Sequence, residues 1–130
     1  MSPDFLSLEE VLEIHAQQLG RFGGGAGIRD AGLLDSALSQ PAATFGGQWV
    51  HADVWEMAGA YLFHVVSNHP FVDGNKRAGL LSALVFLDLN GIALEHGSEA
   101  LYALTMAVAE GQETKAHVTA ELRRIARERQ

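Results

Sequence analysis

The chain has 130 residues, of which 48% are hydrophobic and 19% charged, and a formal net charge of −7. This mixture indicates one globular domain with a single core and excludes a disordered chain, while the acidic balance argues against direct nucleic-acid binding. Because cysteine is absent, and no export signal or membrane span is visible, we expect a cytoplasmic protein without disulfides, Cys-ligated metals or a membrane partner.

The first half of the chain predicts two helices and a flap. Ser7 and Glu10 form a capping box at the start of the first helix, which runs to about Gly20 before a glycine-rich turn. Asp30 is placed to cap a short second helix. Residues 41–52 show no hydrophobic period, which indicates a loop or a small flap.

The second half predicts four more helices. Residues 54–68 and 77–89 are apolar on nearly every side, which indicates a central buried helical hairpin. Ser98 can cap a fifth helix, and a sixth begins at about Thr114. Since no convincing strand pair is found, the predicted fold class is all-α, a compact single domain over residues 1–130 with about six helices.

The two apolar helices are joined by HPFVDGNKR, which we call the motif segment. Gly74 permits positive φ and close approach of a ligand to the backbone, and Asn75 tolerates the same region. The helix that follows presents unpaired N–H groups, which suit phosphate. Lys76 and Arg77 add a point charge and a rigid fork for phosphate oxygens. These residues predict an anion site.

Two other side chains of the motif segment suit phosphoryl transfer. Asp73 offers a hard oxygen ligand, and magnesium at a nucleotide needs only one or two protein carboxylates. His69 offers an imidazole that can accept a proton from an attacking hydroxyl near neutral pH. Taken singly, Asp73-Gly74-Asn75 fits a plain turn, and Lys76 and Arg77 fit an exposed helix, better than each fits a site. Together, between buried helices and with Phe71 expected to pack into the core, they indicate an active site.

The motif segment also resembles the signature of the Fic/Doc family, His-(Pro)-Phe-x-(Asp/Glu)-(Gly/Ala)-Asn-(Gly/Lys)-Arg. The order of helices, turn and flap around it is similar to the death-on-curing (Doc) toxin branch. The resemblance implies that His69 is the general base and Asp73 the Mg²⁺ ligand, with ATP as phosphate donor. It assigns the phosphate cradle to Gly74, Asn75, Lys76 and Arg77.

Positions 76 and 80 bear on which group is transferred. Family members that transfer AMP have a second glycine where this chain has Lys76, and usually a second arginine where it has Leu80. The Doc branch shares the lysine and lacks that arginine. The resemblance therefore implies a kinase toxin that phosphorylates elongation factor Tu and arrests translation. Gly74, where the Doc toxin has alanine, keeps AMP transfer open as an alternative, and an inactive binding scaffold is a third reading.

Inhibition is expected to come from a separate protein. Many family members carry an inhibitory helix with the pattern Ser/Thr-x-x-x-Glu-(Gly/Asn), and the nearest match here, residues 105–111, is one residue too long. The resemblance to a toxin then implies a Phd-like antitoxin as the partner of a type II toxin–antitoxin pair.

The remaining histidines carry no metal-binding pattern. His64 and His69 are five residues apart and do not share a helix face. The others are predicted to be isolated surface or partly buried residues: His15, His51, His96 and His117.

Overall fold

The structure, a computed structural model, describes residues 2–95 and 97–128. Six helices dominate the described residues and confirm the all-α class. No helix among them combines the length and apolarity that crossing a bilayer requires. The elements in chain order are α1 (Leu8–Phe22), α2 (Ala31–Ser39), β1 (Thr44–Phe45), β2 (Gln48–Trp49), α3 (Val54–Asn68), α4 (Asn75–Leu89), α5 (Glu99–Ala109) and α6 (Lys115–Glu128).

Side-chain caps explain where the helices begin. The Ser7 hydroxyl accepts from the Glu10 N–H, and the Glu10 carboxylate accepts in return from the Ser7 N–H. The predicted caps of α2 and α5, Asp30 and Ser98, also accept from the backbone N–H three residues on, and Asp53 does the same at the start of α3. The Thr114 hydroxyl does the same for α6. Within the described residues, α4 is the one helix that begins without a side-chain cap.

Helices α3 and α4 form the predicted buried hairpin, and the rest of the core packs around it. The two helices pack tightly at Gly79, where an added Cβ would lie 2.6 Å from Val66 Cγ2. Helix α6 runs antiparallel to α3, because Arg123 pairs with Asp53 at the start of α3 while the Lys115 ammonium lies 3.2 Å from the His64 ring near its end. The hairpin is thus fixed on several sides.

The expectation of no strand pair is wrong within the flap. Strands β1 and β2 pair antiparallel, with Thr44 opposite Trp49 and Phe45 opposite Gln48. The turn between them consists of two glycines with φ of 58° and 79°, which is the backbone that a two-residue hairpin loop requires. Strands of two residues are too short to show an alternating hydrophobic pattern, so the Gly-Gly pair was the usable signal.

Candidate active site

His69 closes α3 in an uncommon backbone conformation. Its φ of 50° and ψ of 53° lie in the left-handed region, and it is the one non-glycine residue with positive φ among the described residues. Its N–H bonds to the Val65 carbonyl at 3.3 Å, and its own carbonyl accepts from Arg29 Nε at 2.7 Å. The His69 side chain is exposed. Left-handed non-glycine residues are costly and concentrate at functional sites.

The motif segment is held along its length by the stretch after the glycine-rich turn. The Val72 N–H bonds to the Gly27 carbonyl at 3.1 Å, and the Arg29 N–H bonds to the Pro70 carbonyl at 2.7 Å. Between these bonds Phe71 forms a bridge with Ile28. The Phe71 side chain is fully buried, which confirms that it packs into the core beneath the segment.

The side chain of Asn75 closes the loop on itself. Its Oδ1 accepts from the Phe71 N–H at 2.9 Å, and its Nδ2 donates to the Phe71 carbonyl at 3.0 Å. The residue is only 5% exposed. Both side-chain bonds of Asn75 go to the Phe71 backbone, so this side chain shapes the loop, while the Asn75 backbone N–H lies at the start of α4. The sequence suggested the residue but not this division of roles.

Asp73 is oriented by the glycine-rich turn. Its Oδ2 accepts from the Gly25 N–H at 2.6 Å, and among the described residues no donor bonds its Oδ1. A Cβ at Gly24 would lie 3.1 Å from the Asp73 Cβ, and one at Gly25 would lie 3.0 Å from Oδ2. The turn, predicted only as a helix stop, therefore shapes the site. One carboxylate oxygen is fixed and the other is available to a cation.

His15 also belongs to the site, so its description as an isolated histidine is wrong. Its Nε2 lies 2.7 Å from the Asp73 carbonyl oxygen, and its ring stacks on Phe71 with centroids 3.7 Å apart and planes 9° apart. It is buried, at 5% exposure. The signal was its place on the apolar stripe of α1, four residues after Val11 and four before Leu19, which turns it towards the core.

None of the other described histidines forms a hydrogen bond with the motif segment. His51 is buried, and its Nδ1 has no hydrogen-bond partner among the described residues. His117 is exposed and pairs with Glu113, while His96 lies outside the described residues. Burial, followed by the charge of Lys115, lowers the pKa of His64 to about 4. These positions support no role in the candidate site.

The start of α4 has the properties of an anion site. Gly74, the residue before it, has φ of 82° and no capping side chain. The Ala78 N–H is the first that bonds back, to the Gly74 carbonyl at 2.9 Å, so the three N–H groups before it lack intrahelical partners. Lys76 and Arg77 are exposed beside them. The Arg77 guanidinium lies 4.2 Å from the centroid of the Phe22 ring, at the end of α1.

Asp73 is the one acidic side chain of the motif segment and could supply a single carboxylate ligand to a magnesium ion. Within the described residues no cluster of three or more His, Asp or Glu could hold a metal by itself. A lone carboxylate such as Asp73 matches Mg²⁺, which keeps several waters and takes other ligands from nucleotide phosphates.

Comparison with known proteins gives the class. The sequence profile of the Fic/DOC family matches residues 5–87. The chain is 40% identical to Toxin Doc of Mycolicibacterium smegmatis (strain ATCC 700084 / mc(2)155) over 91 residues, which are 70% of this chain and 68% of that protein. It is 32% identical to Protein kinase doc of Escherichia phage P1 over 120 residues, which are 92% of this chain and 94% of that protein. The chain belongs to the Fic/DOC family.

Proposed function

We propose that this protein is a toxin that transfers the γ-phosphoryl group of Mg·ATP to a hydroxyl of a protein target. The observation that carries the proposal is the uncapped start of α4, where free N–H groups lie beside Lys76 and Arg77 and directly follow the fixed carboxylate of Asp73. A relative that aligns with nearly the whole chain is named a protein kinase, and another is named a toxin.

The residues divide the chemistry between binding and proton transfer. The backbone N–H groups of 75–77 and the side chains of Lys76 and Arg77 bind the phosphate oxygens. Asp73 would hold Mg²⁺, which offsets the charge on those oxygens when bound. The oxygen of the target hydroxyl forms a bond to the γ-phosphorus, and His69 accepts the proton of that hydroxyl. The bond from that phosphorus to the bridging oxygen breaks, and ADP leaves.

Lys76 favours phosphoryl over adenylyl transfer. Its side chain adds charge and bulk at the second position of α4, beside the N–H groups that would receive a phosphate. With Lys76 in this position, a nucleotide can bind in a different orientation from the one it would take beside a glycine. AMP transfer remains the second candidate, because Gly74 has no Cβ and leaves room at the turn: an added Cβ would lie 3.4 Å from the His15 ring.

The similarity to Doc toxins also suggests a target and an inhibitor. We infer elongation factor Tu as the acceptor and a Phd-like antitoxin as the cytoplasmic partner that silences the toxin. Production of the chain should then arrest growth and translation, and the antitoxin encoded beside it should restore both.

Transfer of a radiolabelled phosphate decides between the candidates. Purified protein is incubated with elongation factor Tu, Mg²⁺ and ATP labelled at either the γ- or the α-phosphorus, with His69→Ala and Asp73→Asn as controls. We expect the γ-label alone to appear on the target, and only with the unchanged protein. Appearance of the α-label would establish AMP transfer instead. If neither label moves and the unchanged protein is as harmless in cells as His69→Ala, the chain is an inactive scaffold.

A further inference from the structure

We propose that His15 is a positioning residue for the Asp73 carboxylate and for the turn that leads into α4. The inference rests on the proposed function for its consequence, Mg·ATP affinity, but not for its structural content. His15 lies on α1, 58 residues away in sequence from the group it contacts. Nothing in the motif segment itself specifies this contact.

The contact fixes which atom of His15 carries a proton. A carbonyl oxygen only accepts hydrogen bonds, so the Nε2 that lies 2.7 Å from the Asp73 carbonyl has to be the N–H donor. The lone pair of that nitrogen is therefore not available to a reacting group. His15 acts by holding the backbone, whereas the exposed His69 remains the base of the proposed reaction.

Two contacts together leave the His15 ring a single orientation. The ring lies nearly parallel to that of buried Phe71, with an interplanar angle of 9°. Stacking sets the plane of the imidazole, and the hydrogen bond sets its rotation within that plane. The ring places its Nε2, and the hydrogen bond from this nitrogen supports the peptide between Asp73 and Gly74.

This peptide is the point where the proposed metal and phosphate ligands join. On one side the Asp73 carboxylate is fixed by the Gly25 N–H. On the other side Gly74, whose would-be Cβ lies 3.4 Å from the His15 ring, leads into the free N–H groups of α4. A rotation of the peptide would move the carboxylate and these N–H groups relative to each other. His15 therefore determines whether one Mg·ATP can contact both.

Two substitutions separate the hydrogen bond from the stacking. His15→Phe retains a planar ring on Phe71 and removes the donor. His15→Gln retains a donor at about the distance of Nε2 and removes the ring. His117→Phe, on the exposed face of α6, serves as the matched control. Thermal unfolding of all three shows whether the fold is kept.

Affinity for Mg·ATP, measured by calorimetry, tests the consequence. Partners that orient a metal ligand typically contribute 10–100-fold in affinity, so we expect His15→Phe to weaken binding at least about tenfold. His15→Gln and His117→Phe should bind like the unchanged protein. The melting temperature is expected to fall in both His15 variants. If His15 had a purely structural role, the affinity for Mg·ATP would fall in both variants along with the melting temperature. Equal weakening in both, or none in His15→Phe, would overturn the proposal.

Amide hydrogen exchange tests the positioning without any ligand. The Gly25 N–H bonds to the Asp73 carboxylate and the Val72 N–H bonds to the Gly27 carbonyl, so both report the placement of the segment. We expect both to exchange faster in His15→Phe and at the original rate in His15→Gln, with α5 unchanged. Unchanged exchange in His15→Phe would refute the role of His15. Should the unchanged protein bind no Mg·ATP, the proposed function fails while this measurement still decides the role of His15.

Discussion

His69 is expected to affect activity and stability in different ways. Its imidazole serves the proposed reaction, whereas its β-carbon makes the left-handed backbone conformation less stable. At φ of 50° a β-carbon is unfavourable, and Pro70 prevents α3 from continuing. We expect His69→Ala to lower transfer about 10²–10⁴-fold by removing the base. His69→Gly should lose the same activity yet unfold at a higher denaturant concentration than His69→Ala, because glycine accepts this conformation.

The two His69 variants are compared by phosphoryl transfer and by urea unfolding. Similar losses of activity, with a higher unfolding midpoint for His69→Gly than for His69→Ala, would match the structure. Retention of activity by either variant would remove His69 from the role of base.

Asn75 is expected to matter more for stability than its place in the motif suggests. The Asn75→Ala change leaves the buried N–H and carbonyl of Phe71 without partners, at about 1–3 kcal/mol for each such group. We therefore expect a loss of about 2–6 kcal/mol in the free energy of unfolding. Asn68→Ala is the matched control. The Asn68 side chain donates a single hydrogen bond, to the Leu33 carbonyl, and this bond is exposed to solvent. A loss no larger than that of the control would contradict this account.

At the scale of helices, Gly79 sets how closely α3 and α4 pack. An added Cβ would lie 2.6 Å from Val66 Cγ2 and 3.4 Å from the Leu62 carbonyl oxygen. We expect Gly79→Ala to cost about 1–3 kcal/mol of stability by overpacking. Gly20→Ala, in α1 with no atom within 4 Å of the added Cβ, should instead stabilise the helix by about 0.5–1 kcal/mol.

Chemical denaturation of both glycine variants measures these opposite effects. The Gly79→Ala penalty should shrink in a Val66→Ala background, because the clashing methyl group is gone. An unchanged penalty there would show that backbone strain, and not the Val66 side chain, limits the approach of the two helices.

Sequence patterns predicted the elements well because the relevant signals are local. Ser7, Asp30, Asp53 and Ser98 lie within three residues of the N–H groups they cap, and the apolar runs mark the hairpin directly. The motif segment likewise has its polar residues within nine positions. Their roles in catalysis are predictions.

What the sequence did not predict depends on contacts across long separations. The Gly25 N–H meets Asp73 over 48 residues, and His15 meets the same residue over 58. Such pairs arise only once α1 packs against α4, which no local pattern encodes. The apolar stripe of α1 could have shown that His15 points inward, although it was predicted to be isolated, but it does not show which carbonyl His15 meets.

At the scale of the molecule, four of the histidines lie in two separate regions. His15 and His69 lie at the motif segment, whereas His51 and His64 lie with Lys115 along α3 and α6. A cavity of about 300 Å³ there is lined by His51, Glu56, Lys115, Ala116, Thr119 and Arg123. Protonation of His51 or His64 should therefore change the stability of the whole fold without a direct effect on the proposed active site.

The stability of the fold is expected to fall as the pH drops below neutrality. Burial, then Lys115 and His51, lowers the pKa of His64 from 6.5 to about 4, so the folded protein holds this ring neutral over an interval in which the unfolded chain is protonated. Unfolding takes up a proton there, and the stabilisation present above pH 6.5 is lost as the pH falls through about 4. Burial lowers the pKa of His51 too, which adds in the same direction.

His64→Gln isolates this contribution, because glutamine stays neutral and can still accept from Lys115. We expect the free energy of unfolding of the variant to depend less steeply on pH between 6.5 and 4 than that of the unchanged protein, with a residual slope from His51. Urea unfolding at about pH 7.5 and about pH 4.5 measures the difference. Parallel losses in the two proteins would mean that His64 is not the group whose protonation unfolds the domain.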